Sequence, residues 1–144
     1  SGIVGFAKAV EICMKNMKTE GARIAKFRDK IIKGLLKVEG AHLNGDPVNR
    51  LPNNVNFSFS GIEGESILFE LDFKGIAVST GSACSSPKLE PSHVLLATGL
   101  KHEEAHGSVR ITLGRWTTAE DVSKLLKTLP VVVKKLRTIS PYKK

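Results

Sequence analysis

Two cysteines and one arginine carry most of the chemical information in this chain. Cys84 stands in the run Thr80-Gly81-Ser82-Ala83-Cys84-Ser85-Ser86-Pro87, free of bulky apolar neighbours. A thiol in such a loop is accessible and able to ionise, and reactivity follows thiolate fraction and access. Cys13 is the contrast: flanked by Ile12 and Met14 in a helical stretch, it is expected to behave as a small buried hydrophobe. The two lie far apart in unlike settings, so the expectation is reduced thiols in a cytoplasmic compartment, not a disulfide framework. Arg110 falls within Val109-Arg110-Ile111-Thr112-Leu113, where strand alternation puts it and Thr112 on the face opposite Val109, Ile111 and Leu113. A guanidinium held by a strand offers a carboxylate two parallel donors, although a surface arginine or a structural ion pair would read the same way.

A second pattern points elsewhere. His102-Glu103-Glu104-Ala105-His106 fits the H-E-x-x-H signature, in which two histidines one turn apart bind zinc and the glutamate acts as a base. That chemistry needs a substantial helix and a third ligand. Gly99 and Gly107 leave only seven residues between them, the segment has no apolar face, and His42 and His93 have no motif-like spacing. A solvated polar connector is the expectation, with no metal site. His93 and His106 remain candidates for the neighbourhood of an active site.

These residues need elements to position them. Ile24, Phe27, Ile31, Leu35 and Val38 recur at threes and fours within a helical pattern from Ile3 to Val38, which Gly21 is expected to divide or bend. Asn44-Gly45-Asp46-Pro47 and Leu51-Pro52-Asn53 mark turns. Val55, Phe57 and Phe59 alternate with Asn56, Ser58 and Ser60, the period of a half-buried strand. Residues 65–71 suit a short helix, and Ile76 to Thr80 a second strand leading into the Cys84 loop. Pro91 is placed to open a short helix that Gly99 ends. After the Arg110 strand, Thr117 with Glu120 reads as a capping box for a final helix. Its stripe is Val122, Leu125, Leu126, Leu129, Val133 and Leu136, and the phase runs through Pro130, where a kink is expected more than a stop. The order predicts an α+β fold with a small three-stranded sheet covered by long helices.

The chain has 144 residues and a formal charge of +8, with a single Trp and a single Tyr. One domain of this length can bury a real core. Nucleic-acid binding would favour a basic stripe interleaved with stacking rings, so the charge reads as solvated helix faces or a docking surface for an acidic partner. No apolar run approaches the roughly 20 residues of a membrane span, and no signal-peptide order opens the chain. The start at Ser1 inside a helical pattern suggests a fragment or a processed piece.

Three segments in consecutive order carry a resemblance: Thr80-Gly81-Ser82-Ala83-Cys84-Ser85-Ser86, Leu89-Glu90-Pro91-Ser92-His93-Val94-Leu95, and Ser108-Val109-Arg110-Ile111-Thr112-Leu113-Gly114-Arg115. With Leu43-Asn44-Gly45 and Leu51-Pro52-Asn53-Asn54-Val55-Asn56 upstream, nearly the whole chain resembles the NifS/IscS-like cysteine desulfurases of the class V aminotransferase family. The resemblance implies the C-terminal small domain of a fold-type I pyridoxal-phosphate enzyme. Residues 1 to about 18 would be a helix leaving an absent large domain, and 19–144 the small domain with the catalytic cysteine loop. Cys84 would take sulfur from cofactor-bound L-cysteine as a persulfide, leaving L-alanine, and pass it to an iron–sulfur scaffold or another acceptor. Arg110 would hold the substrate carboxylate, while Arg115 reads as structural. The Schiff-base lysine of the family sits in a His-Lys pair, which is absent here, so no cofactor-binding residue is expected in this chain and the chain alone is expected to be inactive. A homodimer in full form is implied. Selenocysteine lyase, or a non-catalytic partner-binding module, are the alternatives.

Overall fold

The computed structural model describes residues 1–80 and 91–141. In chain order these form α1 (Gly2–Leu35), β1 (Ala41–Leu43), β2 (Asn54–Phe59), α2 (Gly64–Asp72), α3 (His93–Ala97), α4 (His102–His106), β3 (Ser108–Thr112) and α5 (Ala119–Ile139). The strands make one antiparallel sheet in the order β1-β2-β3.

Alternation along β2 decides which face of the sheet is buried. Val55, Phe57 and Phe59 point into the core with their cross-strand partners Ile111, Val109, Leu43 and Ala41. Helices α1, α2 and α5 cover that face with Ile31, Leu35, Ile67, Leu71, Leu129 and Val133, all essentially without exposure. Each such side chain removed from water is worth about 1.5–3 kcal/mol. The opposite face carries His42, Asn54, Asn56, Ser58, Arg110 and Thr112.

Helix α1 is one uninterrupted element of 34 residues. The expected division at Gly21 does not occur, because an interior glycine costs only about 1 kcal/mol against alanine and the docked half of the helix outweighs that. Docking begins near Ile24 and continues through Ile31, Ile32 and Leu35. Arg23 fastens the junction: its guanidinium donates to the carbonyls of Thr117 (2.8 Å) and Arg115 (2.8 Å) and pairs with Glu20 (2.8 Å). Residues before that point have no such cover. Ile3, Val4, Phe6, Met14 and Met17 are all exposed, Ile3 at 87%.

One of the three strands is not an expected one. Ile76 to Thr80 contributes a single bridge, Ser79 to Arg110, and Ala41–Leu43 pairs with β2 instead. Ile76 and Val78 do pack against the core, which is the origin of their strand-like alternation. The Ile76 N–H, however, bonds back to the Leu71 carbonyl (3.0 Å) as the chain turns out of α2, so the segment enters without an extended ladder.

Two helix starts shift by a residue or two. Helix α3 opens at His93, with Ser92 as its N-cap, and not at Pro91; Gly99 at φ 94° follows it. The capping box of α5 is Thr118 with Asp121: the Asp121 N–H donates to Thr118 Oγ1 (3.2 Å), and the Thr118 N–H to Asp121 Oδ2 (2.8 Å). Thr117 is unavailable because its hydroxyl accepts the Gly114 N–H (2.9 Å) in the preceding turn. The helix then passes through Pro130 without stopping and buries Val122, Leu125, Leu129, Val132, Val133 and Leu136. Among the described residues no helix is long and apolar enough to cross a membrane.

Candidate functional site

The polar face of the sheet gathers the chemistry. At one end, Asn44 and Ser58 are buried, at 5% and 3% exposure. Their burial is tolerated because they satisfy each other: Asn44 Nδ2 donates to Asn56 Oδ1 (2.7 Å) and Ser58 Oγ (2.9 Å), and the Ser58 hydroxyl donates to Asn44 Oδ1 (3.2 Å). Arg50 closes the outer end by donating to the Asn44 carbonyl (3.2 Å). Burial, and then the neighbouring Arg28 charge, pull its pKa below the ordinary arginine value. A cleft of about 230 Å³ opens beside this network, with His42, Ser58, Thr98, Leu100 and Glu104 in its lining.

On the neighbouring strand β3 stands Arg110, in register opposite Asn56. It is half-buried, between buried Val109 and Ile111, as strand alternation requires. Its backbone is gripped by Ser79 in both directions: the Arg110 N–H donates to the Ser79 carbonyl (2.6 Å), and the Ser79 N–H to the Arg110 carbonyl (3.0 Å). Among the described residues the guanidinium reaches only the Ser79 hydroxyl, at 3.4 Å, and pairs with no carboxylate. A strand-borne guanidinium without a resident anion is able to receive one. The residues of the Asn44, Asn56 and Ser58 network were not singled out from sequence, although polar positions alternating with Val55 and Phe57 are the signal that could have found them.

The remaining sequence candidates fall as follows. Cys84 lies outside the described residues; in sequence it follows Ser79 by five positions. Cys13 is exposed, contrary to the expectation of a buried hydrophobe, because nothing described packs on the first half of α1. His102–His106 does form a short helix, with both histidines exposed and the Glu104 carboxylate accepting its own helix's Lys101 N–H (2.9 Å). Among the described residues no cluster of three or more metal-ligating side chains assembles. His93 is exposed at the start of α3. Arg115 is exposed with its guanidinium 5.3 Å from the Trp116 ring centre, while its carbonyl anchors Arg23.

Fold and polar face together describe an α+β domain that presents hydrogen-bond donors, the Arg110 guanidinium among them, on a single side of a three-stranded sheet. The chain belongs to the class-V aminotransferase family, whose model matches residues 1–125. It is 59% identical over 139 residues to the cysteine desulfurase IscS 1 of Archaeoglobus fulgidus, covering 96% of this chain and 36% of that protein. To the cysteine desulfurase NifS of Azotobacter vinelandii it is 44% identical, covering 99% of this chain and 36% of the other. The chain thus spans about a third of the length of the curated relatives it matches. Among solved structures, a NifS-like protein superposes with a TM-score of 0.81 at 33% identity, over 94% of this chain and 34% of that one. A NifS-like protein from Rickettsia africae gives 0.79 at 26% identity, over 92% and 34%. The small sheet with its helices is therefore the fold of a domain of fold-type I pyridoxal-phosphate enzymes.

Proposed function

We propose that this chain is the small-domain portion of a pyridoxal-phosphate cysteine desulfurase, in which Arg110 binds the α-carboxylate of L-cysteine and Cys84 accepts its sulfur. Residues 1 to about 18 are then the helix leaving the large domain, and 19–144 the small domain. The observation that carries this reading is Arg110: a half-buried guanidinium, oriented by the sheet, without a carboxylate partner among the described residues, and bridged to the segment that leads in sequence toward Cys84. The desulfurase names of relatives at 44–59% identity support it.

The His-Lys pair that holds the cofactor imine in the resembled family is absent from this sequence, which supports a cofactor held by residues outside it. The cofactor, an electron sink at the substrate α-carbon, belongs with the large domain, and this chain supplies the carboxylate anchor and the thiol. Arg110 donates two parallel N–H groups to the carboxylate and so fixes the orientation of the amino acid. The Cys84 thiolate attacks the substrate sulfur; an S–S bond forms, the substrate C–S bond breaks, and the carbon fragment leaves as L-alanine after gaining a proton. The persulfide then carries the sulfur to an acceptor protein for iron–sulfur assembly or thiolation. A reducing, cytoplasmic setting suits a thiol with this task, and the complete protein is expected to work as a homodimer.

The test is persulfide trapping by mass spectrometry in the protein complete with its large domain. Cysteine-dependent mass gain should map to Cys84, vanish in Cys84→Ser and persist in Cys13→Ala. Arg110→Lys keeps the charge but loses the fork, and should raise the KM for L-cysteine about tenfold or more. Persulfide on Cys13, or unchanged turnover in Cys84→Ser, would refute the assignment.

A further inference from the structure

Helix α1 carries a second feature that sulfur transfer does not use. Lys26, Lys30 and Lys33 recur at spacings of four and three, which strings them along one face of α1 over about 10 Å, and Lys37 follows in the turn just past the helix end. All four are exposed, and among the described residues none has an acidic partner, whereas Lys8, Arg23, Arg28 and Lys135 each reach a carboxylate. The four lysines line a cleft of about 600 Å³ that also takes in Gly34 of α1 and Leu126 of α5. Asp29 also lines it, but Arg28 already holds its carboxylate at 2.8 Å. Gly34 packs directly against the Leu126 side chain, where α1 and α5 meet. The cleft therefore has cationic walls and an apolar patch, half-buried Leu126, between them.

We propose that this cleft is a docking groove for an acidic amphipathic helix of a partner protein, whose carboxylates meet the lysine stripe while an apolar side chain sits on Leu126. Charge complementarity and period carry the argument. A helix bearing acids at threes and fours repeats in step with the lysines, and Leu126 offers an apolar contact of the kind that helix-in-groove recognition uses. A nucleic acid is the weaker fit, because no aromatic ring lines the cleft for bases to stack on and an apolar patch gives a phosphate chain nothing. The proposal needs neither Cys84 nor Arg110, so it stands or falls apart from the sulfur-transfer reading.

The experiment uses the protein complete with its large domain, with circular dichroism to establish that each variant is folded, and a fluorescent helical peptide of about 18 residues with Glu at matching spacing and one central Leu on the same face. Fluorescence anisotropy should show saturable binding that weakens as salt rises. The variant Lys30→Glu/Lys33→Glu should lose affinity about tenfold or more, as should a peptide with Leu replaced by Ser. Lys74→Glu/Lys134→Glu, which changes net charge equally at exposed sites that do not line the cleft, should bind nearly as well as the parent. Absence of saturable binding would overturn the proposal. So would equal losses in the two charge-reversed variants, or displacement of the peptide by a nucleic-acid duplex at equal charge, which would mark the face as a general polyanion surface.

Discussion

Gly107 joins α4 to β3 and has no room for a side chain, so Gly107→Ala tests whether the placement of Arg110 depends on close backbone packing. A Cβ at this position would stand 2.7 Å from the Phe59 carbonyl oxygen and 2.9 Å from that of Ile62. Both obstacles are backbone, so neither can rotate away as a side chain would. The same residue's carbonyl accepts the Phe59 N–H at 3.0 Å, the bond that continues the β2·β3 ladder past Ser58 and Ser108. Phe59 is 1% exposed and its ring stacks with Phe57 at 6.3 Å between centres, so a shift of this junction is felt directly in the core. Overpacking of this kind costs about 1–3 kcal/mol, and weakening the Phe59 bond adds about 1 kcal/mol. The expected loss is therefore about 3 kcal/mol. At roughly 2–4 °C per kcal/mol for a chain near this size, Tm should fall by about 6–12 °C. Urea unfolding followed by circular dichroism gives the same quantity through the midpoint, provided the slope is unchanged. A variant within about 0.5 kcal/mol of the parent would show that this junction yields freely, and that the position of β3 is not set by it.

Three further expectations follow from the structure. Gly21→Ala, in a helical position with nothing within 4 Å of a new Cβ, should stabilise the chain by about 0.5–1 kcal/mol; a lower urea midpoint would mean that the helix needs glycine there. Asn44→Ala strips a buried network of its centre and leaves Ser58 and Asn56 short of partners, which should cost about 1–3 kcal/mol in the same assay. The third concerns pH. Asp121 has its pKa lowered chiefly by the backbone N–H of Thr118 and then by that residue's hydroxyl. A carboxylate lowered on folding adds stability above its unfolded value and loses it as pH falls through the folded one. Asp121→Asn should therefore be less stable than the parent at neutral pH, with the gap closing in acid below the usual aspartate range; a gap that stays constant into acid would refute the cap's ionic contribution.

The local patterns in the sequence were sufficient where burial depends on one element's own period. The stripe of α5, the alternation of Val55, Phe57 and Phe59, and the half-buried, outward position of Arg110 all follow from side-chain direction along a helix or strand. The family was legible too, because its three motifs stand in consecutive order in the sequence itself.

Tertiary structure alone decided matters that require a partner. Ile76 and Val78 alternate as convincingly as a strand, yet only Ser79 pairs, because strand identity depends on whether an edge is offered and on where neighbouring N–H groups have already gone. Ala41–Leu43 became a strand for the converse reason, lying alongside β2 after the turn from α1. Glycine at 21 signals a break only if the flanking helix lacks docking, and Ile24 to Leu35 dock. Cys13 reads as buried beside Ile12 and Met14, but an apolar sequence buries a thiol only when another surface covers it, and no described residue does so. The cluster of Asn44, Asn56 and Ser58 is of the same kind: the strand period places two of its members on one face, whereas the third arrives from a separate turn, through contacts that exist only once β1 and β2 have paired.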